Sequence, residues 1–204
     1  MRKLSIAALL FVLGDGIAAA PILYPFTGHF YDFIPAGGIT WTEANTQAAM
    51  HEYLGHSAYL ATISGQGEND FLYDSFNRQF WEGWLGGVQD INSPPRENWR
   101  WVTGEPWTFV NWAQGEPNDG GGRDERYLQM WGFGTVAPGR WNDDANDTNL
   151  GNIGGYFVEY ETGLAPIPEP STLVLTGIGL LIGAYGRRQR ARRTRGTARP
   201  EQLA

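Results

Sequence analysis

Polar and apolar residues follow a helical stride in "GGITWTEANTQAAMHEYLG": Thr40 and Glu43 stand at capping-box spacing, and Ala44, Ala48, Ala49 and Tyr53 fall near one face. The pattern predicts a helix from about Thr42 to Tyr53. "AYLATIS" then alternates with the period of a short strand, and Ser64 stands where it can cap a second helix through "GQGENDFLYDSFNRQF". From Trp84 onward, short aromatic and β-branched runs are separated by turn residues: "WLGGV", "NWRWVTG", "TFVNW", "RYLQMWG", "GRWNDD" and "GYFVEY". Helices first and strands later predict an α+β domain with an antiparallel sheet. The connection from Thr103 to Glu125 is long for a compact domain, and long ordered loops usually carry function.

Both ends depart from this texture. Arg2 and Lys3 precede "LSIAALLFVLGDGIAAA", which has the charge, apolar run and small residues of a secretory signal over 1–20, with cleavage after Ala19 or Ala20. At the other end a proline-bearing linker (163–170) leads into an apolar stretch (171–186) and a basic tail (187–204). The apolar stretch is shorter than the roughly 20 residues of a full membrane span, and its arginines would stay on the cytoplasmic side. Pro168-Glu169-Pro170, a short apolar helix and an arginine cluster, in that order, resemble the bacterial PEP-CTERM sorting tag. The resemblance implies an exosortase as processing partner, and a protein exported through the inner membrane, held there transiently by the tag, then envelope-associated or extracellular.

Setting the ends aside changes the charge. Between Pro21 and Ala165 there are 19 Asp and Glu against six Arg, so the domain carries 6 − 19 = −13. Such a surface argues against nucleic acid as a partner, since a phosphate backbone selects basic surfaces, and points towards divalent cations. With no cysteine in the chain, there is neither a disulfide nor a thiolate metal site. His29, His51 and His56 show no zinc spacing and lie far from the acidic loops in sequence. No nucleophile motif or phosphate loop stands out, so the expected activity is binding rather than catalysis. Trp41, Trp84, Trp101, Trp112 and Trp141 occupy positions expected of core.

Two loops are unusually rich in oxygen donors. "GEPNDGGGRDE" offers Glu116, Asn118, Asp119, Asp124 and Glu125, and "WNDDANDTN" offers Asn142, Asp143, Asp144, Asn146 and Asp147. Asn, Asp and Gly populate turns anyway, because they tolerate positive φ and form Asx-turns. The two loops, however, flank one predicted strand, "RYLQMWG", whose pairing would bring them together. Calcium takes six to eight such oxygens in irregular geometry, and it would neutralise carboxylates that otherwise repel.

The segments "TWTEA", "ATISGQGENDFL", "WLGG", "VNWAQGEPND", "ERYLQM", "RWNDD" and "GYFVEYE", in this order and spacing, resemble the C-type lectin domain, here bounded at 21–162. The resemblance implies a C-type lectin-like α+β fold: two helices, small antiparallel sheets and a long calcium-binding loop. It implies a calcium and sugar site made by Glu116, Asn118, Glu125, Asn142 and Asp143, with a cis peptide bond before Pro117. Counting back from Tyr127 favours Glu125 as the third acid, and counting forward from the EPN favours Asp124. An auxiliary calcium site would draw on Asp90, Asp119 and Glu125. By the family's pattern, EPN goes with mannose-type hydroxyls, so a carbohydrate such as exopolysaccharide is the implied partner. The alternative is a calcium-stabilised structural or protein-binding module without sugar binding. Where the family carries its long disulfide this chain has Ala48 and Val158, and the shorter bridge falls near Tyr127 and Asn146.

Overall fold

The computed structural model describes residues 20–77, 82–146 and 152–167. The expected signal segment, the Pro-Glu-Pro motif with its apolar stretch and basic tail, and Asp147 of the second loop lie outside the described residues.

Helix α1 (Trp41–Ala48) begins as the capping box predicts: the Thr40 hydroxyl accepts from Glu43 N, and Glu43 Oε2 accepts from Thr40 N. It stops at Ala48, five residues short of the expected Tyr53. The remainder turns back as a hairpin, β3 (Glu52–Tyr53) with β4 (His56–Leu60). Leu54 and Gly55 sit at its tip with φ of 52° and 82°, the left-handed pair that a two-residue hairpin turn requires. Helix α2 (Gln66–Leu72) also differs from expectation at its start. Gly65 is its N-cap and makes no side-chain cap, while Ser64 N and Oγ both donate to Glu68 Oε2 at 2.7 Å, reversing the expected roles. The helix runs on into a π-type turn, Tyr73–Asn77.

Two N-terminal strands, β1 (Ile22–Tyr24) and β2 (His29–Pro35), are additions to the sequence-based picture. With β5 (Glu82–Gln89), β6 (Trp99–Trp101), β7 (Tyr127–Trp131), β8 (Trp141–Asp144) and β9 (Ile153–Tyr160), they complete a nine-stranded sheet. Its main path runs β1-β2-β9-β5-β7-β8, with β4 added to β9 and β6 to β5. Pairing is antiparallel, as expected, except between β5 and β9, which are parallel. "TFVNW" forms no strand; Trp112 alone makes an isolated bridge to Trp141.

Strand β9 is buried on both faces, which explains its continuous apolar reading. Side chains alternate across a strand. Tyr156, Val158 and Tyr160 join the cluster under α1 with Trp41, Ala44, Ala48 and Trp84, and Phe157 joins the other with Tyr31, Phe33, Leu72 and Trp141. Ala48 and Val158, which replace the family's long disulfide, are both fully buried in the first cluster. Packing holds the chain there. Near the shorter bridge's positions, Tyr127 stacks on Trp41 at 4.7 Å, and Asn146 exchanges hydrogen bonds with Thr42 N and Oγ1, both 3.0 Å.

Candidate functional site

The strand β8 carries the second oxygen-rich loop, and its root is fixed from several sides. Trp141 is fully buried, and its Nε1 donates to Asn69 Oδ1 of α2 at 2.8 Å. Trp141 N donates to Asn111 O at 2.9 Å, and Ala113 N donates to Trp141 O at 2.8 Å. The segment that leads into the EPN is therefore tied to the strand that leads into the WND. Asn69 and Asn111 further donate to Gly139 O at 3.1 and 2.9 Å. Sequence reading missed both asparagines, since a single buried amide within a helix or a loop has no motif to mark it.

Above this root the two loops meet. Asp143 is fully buried and accepts from Asn118 N at 3.1 and 3.0 Å and from Asp119 N at 3.0 Å. The peptide bond between Glu116 and Pro117 is cis, as the resemblance implies. Asn118 Nδ2 donates to Glu116 Oε2 in a short hydrogen bond. Glu125 is 7% exposed and accepts from Gly120 N at 2.6 Å, while its own N–H donates to Asp119 Oδ1 at 3.1 Å. Asn142 is half-buried on β8 and donates through Nδ2 to the backbone oxygen of Asp143 at 2.6 Å.

The structure thus brings Glu116, Asn118, Asp119, Glu125 and Asp143 into one hydrogen-bonded group, with Asn142 beside it on β8. Asp124 lies apart: it is exposed, and its Oδ2 is 2.9 Å from Arg126 Nε, close enough for an ion pair though not aligned as a hydrogen bond. Asp90 also turns elsewhere, pairing with Arg100 at 3.1 Å with both side chains more than half exposed. Between these loops, Asn92 and Ser93 face Asp119, Gly122, Arg123 and Asp124 across a shallow open cleft.

Electrostatics describes the group more sharply than geometry does. Burial, then the Asp143 charge and a hydrogen bond with it, raise the Glu116 carboxyl above its ordinary value. Glu125 is pushed up to about 7, by burial first and then by Asp143 and Asp144 against the Gly120 amide and the Arg123 charge. Asp143 is raised by burial and by Asp119, despite the N–H groups that it accepts. Burial raises all three carboxyls, and Asp143 adds to the rise at Glu116 and Glu125, so the group gathers negative charge around Asp143. A divalent cation with oxygen ligands fits this donor set. Among the described residues no three His, Cys, Asp or Glu side chains are grouped as a ready-made metal cage, so a cation here would also need the Asn118 and Asn142 amide oxygens or backbone carbonyls.

Residues 166–193 match the family model of the PEP-CTERM protein-sorting motif. Over 121 residues the chain is 31% identical to a lectin of Pleurodeles waltl, covering 58% of this chain and 64% of that protein. It spans less than two thirds of the length of the curated relatives that it matches. Among solved structures, the C-type lectin CEL-I of Cucumaria echinata superposes with a TM-score of 0.53 at 20% identity, covering 65% of this chain and 90% of that one. The carbohydrate-recognition domain of cow CD23, solved in the presence of a GlcNAc2Man3 oligosaccharide, gives a TM-score of 0.50 at 26% identity, covering 64% and 86%. The fold is that of a C-type lectin domain, and the chain carries a PEP-CTERM tag behind it.

Proposed function

We propose that the protein is a calcium-dependent carbohydrate-binding protein of the cell envelope or extracellular polysaccharide matrix, acting by binding without turnover. The observation that carries this reading is Asp143 joining the WND strand to the EPN loop, with Glu116 and Glu125 raised beside it. Glu116, Asn118, Glu125, Asn142 and Asp143 would hold the ion. Bound calcium would offer coordination positions that two neighbouring sugar hydroxyls can take in place of water. Glu116 and Glu125 accept hydrogen bonds from those hydroxyls, and the Asn118 and Asn142 amides donate to them. Charge-assisted bonds of this kind are stronger than neutral ones. For these roles the Asn118 amide leaves Glu116, and the Asn142 amide leaves the Asp143 carbonyl. The likeness to a lectin and to a domain solved with a mannose-containing oligosaccharide supports mannose-type hydroxyls as the ligand class.

Export and C-terminal anchoring follow from the sorting motif, which supports an exosortase as processing partner. No helix among the described residues is long and apolar enough to cross a membrane. A glycan array read with calcium and again with EDTA tests the function. Calcium-dependent signal on mannose-type glycans is expected, and equal, featureless signal in both conditions rejects sugar binding. A second reading, calcium that only stiffens a structural or protein-binding module, is favoured by the glycine-rich turn Gly120–Gly122, which widens the loop between Asn118 and Glu125. Calcium binding without any glycan response would select it.

A further inference from the structure

The sheet has two outer edges on its main path, and the oxygen-rich loops sit at one of them, on β7 and β8. The other edge is β1, and the chain returns to the turn that follows it, residues 25–28, as the sorting motif begins. Thr162 Oγ1 donates to Gly28 O at 3.2 Å, and Ile167 N donates to Pro25 O at 2.8 Å. At Gly28, φ is +79° and a Cβ would stand 2.3 Å from Leu164 O, so only glycine admits the returning segment there. Ile167, the second residue of the motif, is thus tied by its backbone to the domain.

This edge exposes apolar side chains on β1, where Ile22 and Leu23 point to opposite faces of the sheet's rim, and on the returning segment. Ile22 is 43% exposed, Leu23 38%, Leu164 48% and Ile167 56%. From Ile167 to the start of the apolar run at Leu173 there are 173 − 167 = 6 residues, which span at most ~20 Å when fully extended. The headgroup layer on one side of a bilayer is roughly 5–8 Å deep, so a bilayer crossed by the tag lies within reach of the patch. The domain's excess of acidic residues, with Glu161 exposed on the same segment, opposes free adsorption to anionic lipid. The tether overcomes this by holding the patch at high local concentration.

We propose that the edge formed by β1 and residues 162–167 is a membrane seat: Ile22, Leu23, Leu164 and Ile167 rest in the headgroup region of the bilayer that the tag enters. The proposal rests on the tag's anchoring role. Five strand spacings separate β1 from β8, on the order of 24 Å, so a seated domain holds the EPN and WND loops away from the lipid and towards the surroundings.

The absence of native cysteine makes the test direct. Full-length single-cysteine variants Leu23→Cys, Leu164→Cys, Val136→Cys and Leu181→Cys are labelled with a fluorophore in phosphatidylethanolamine–phosphatidylglycerol vesicles containing headgroup-proximal spin-labelled lipid. Val136, 93% exposed on the β7–β8 turn, is the distant control, and Leu181 lies within the apolar run of the tag. Strong loss of fluorescence at 23, 164 and 181, with none at 136, is the expected result. Quenching at 181 but not at 23 or 164 overturns the seat while leaving the anchor intact. No quenching at 181 removes the anchor and the seat with it. Disulfide cross-linking between chains at 164 without lipid quenching assigns the edge to a second copy, against the proposal. Positions 23 and 164 are solvent-facing and separate from each other in sequence, so one misfolded variant does not leave the question open.

Discussion

Two groups of carboxylates in this domain meet their surroundings differently: Glu68 and Glu159 are buried around β9, whereas at the loop end Asp143 and Glu125 are buried and Glu116 is half-buried. Around β9, Glu159 accepts from Thr62 N at 2.8 Å, from Tyr31 OH at 3.2 Å and from His29 Nδ1 at 2.6 Å, with the Thr62 hydroxyl at 2.9 Å. Glu68 accepts from Ser64 N and Oγ, and the single Tyr31 hydroxyl proton is shared between Glu159 and Glu68, the shorter contact being to Glu68. The protein closes this network with its own hydroxyls, amides and a histidine. At the loop end, Glu116 accepts from one side-chain amide and otherwise faces Asp143. Repulsion between carboxylates is common to both groups, since the Glu159 charge raises Glu68 as Asp143 raises Glu116. The difference lies in how many protein donors each carboxylate meets.

Removing the centre of the satisfied network should have the largest effect. Glu159→Ala leaves the buried Thr62 N and the half-buried His29 without their acceptor, and each buried donor left unsatisfied costs about 1–3 kcal/mol. Urea unfolding in EDTA should show a loss of that size, while calcium affinity of the chains that remain folded is unchanged. Glu116→Gln is the complementary change. It relieves repulsion, so the calcium-free melting temperature should hold or rise, whereas calcium affinity should fall at least tenfold, about 1.4 kcal/mol or more. A parallel loss of stability and affinity in this variant would count against the contrast.

Both regions should respond to pH in the same direction. Burial and then the Glu159 charge hold the Glu68 carboxyl at about 7, and burial and then Asp144 do the same for Glu82. A carboxyl raised on folding gives stability that is complete below its unfolded value and drains as pH climbs through the folded value. His29, raised by its hydrogen bond to Glu159, acts in the same sense, its contribution fading as pH passes its folded value. The calcium-free protein should therefore melt at a lower temperature near pH 8 than near pH 5.5, and calcium should narrow the gap by stabilising the ionised loop. The smallest effect is expected at a surface cap: Thr40→Ala should cost about 1 kcal/mol and leave calcium affinity untouched.

Much of this was legible in the chain itself, because its signals were local. Thr40 and Glu43 wrote the cap of α1 in two residues, and EPN with WND named the loops that Asp143 joins. What failed to show was whatever depended on distant partners. The end of α1 was misplaced because a two-residue turn at Leu54 and Gly55 competes with helical periodicity. Strands β1 and β2 escaped because β2 is recognised by pairing with β9, more than a hundred residues away. Asn69 and Asn111 escaped for the same reason: they matter through Trp141 and Gly139, not through neighbours in sequence. In the choice between Glu125 and Asp124, spacing left both open, and the structure turns Glu125 towards Gly120 and Asp124 towards Arg126.

The proposal that the loop carboxylates bind a cation is tested most directly by titrating calcium into the full-length protein in a calorimeter, in two buffers of different ionisation heat at about pH 6.5. One ion per chain should bind with release of protons, since raised carboxyls must ionise to take it, and at a hundredfold excess over Kd the domain should gain about 2.7 kcal/mol. A flat titration together with a melting curve identical in calcium and in EDTA would contradict the account.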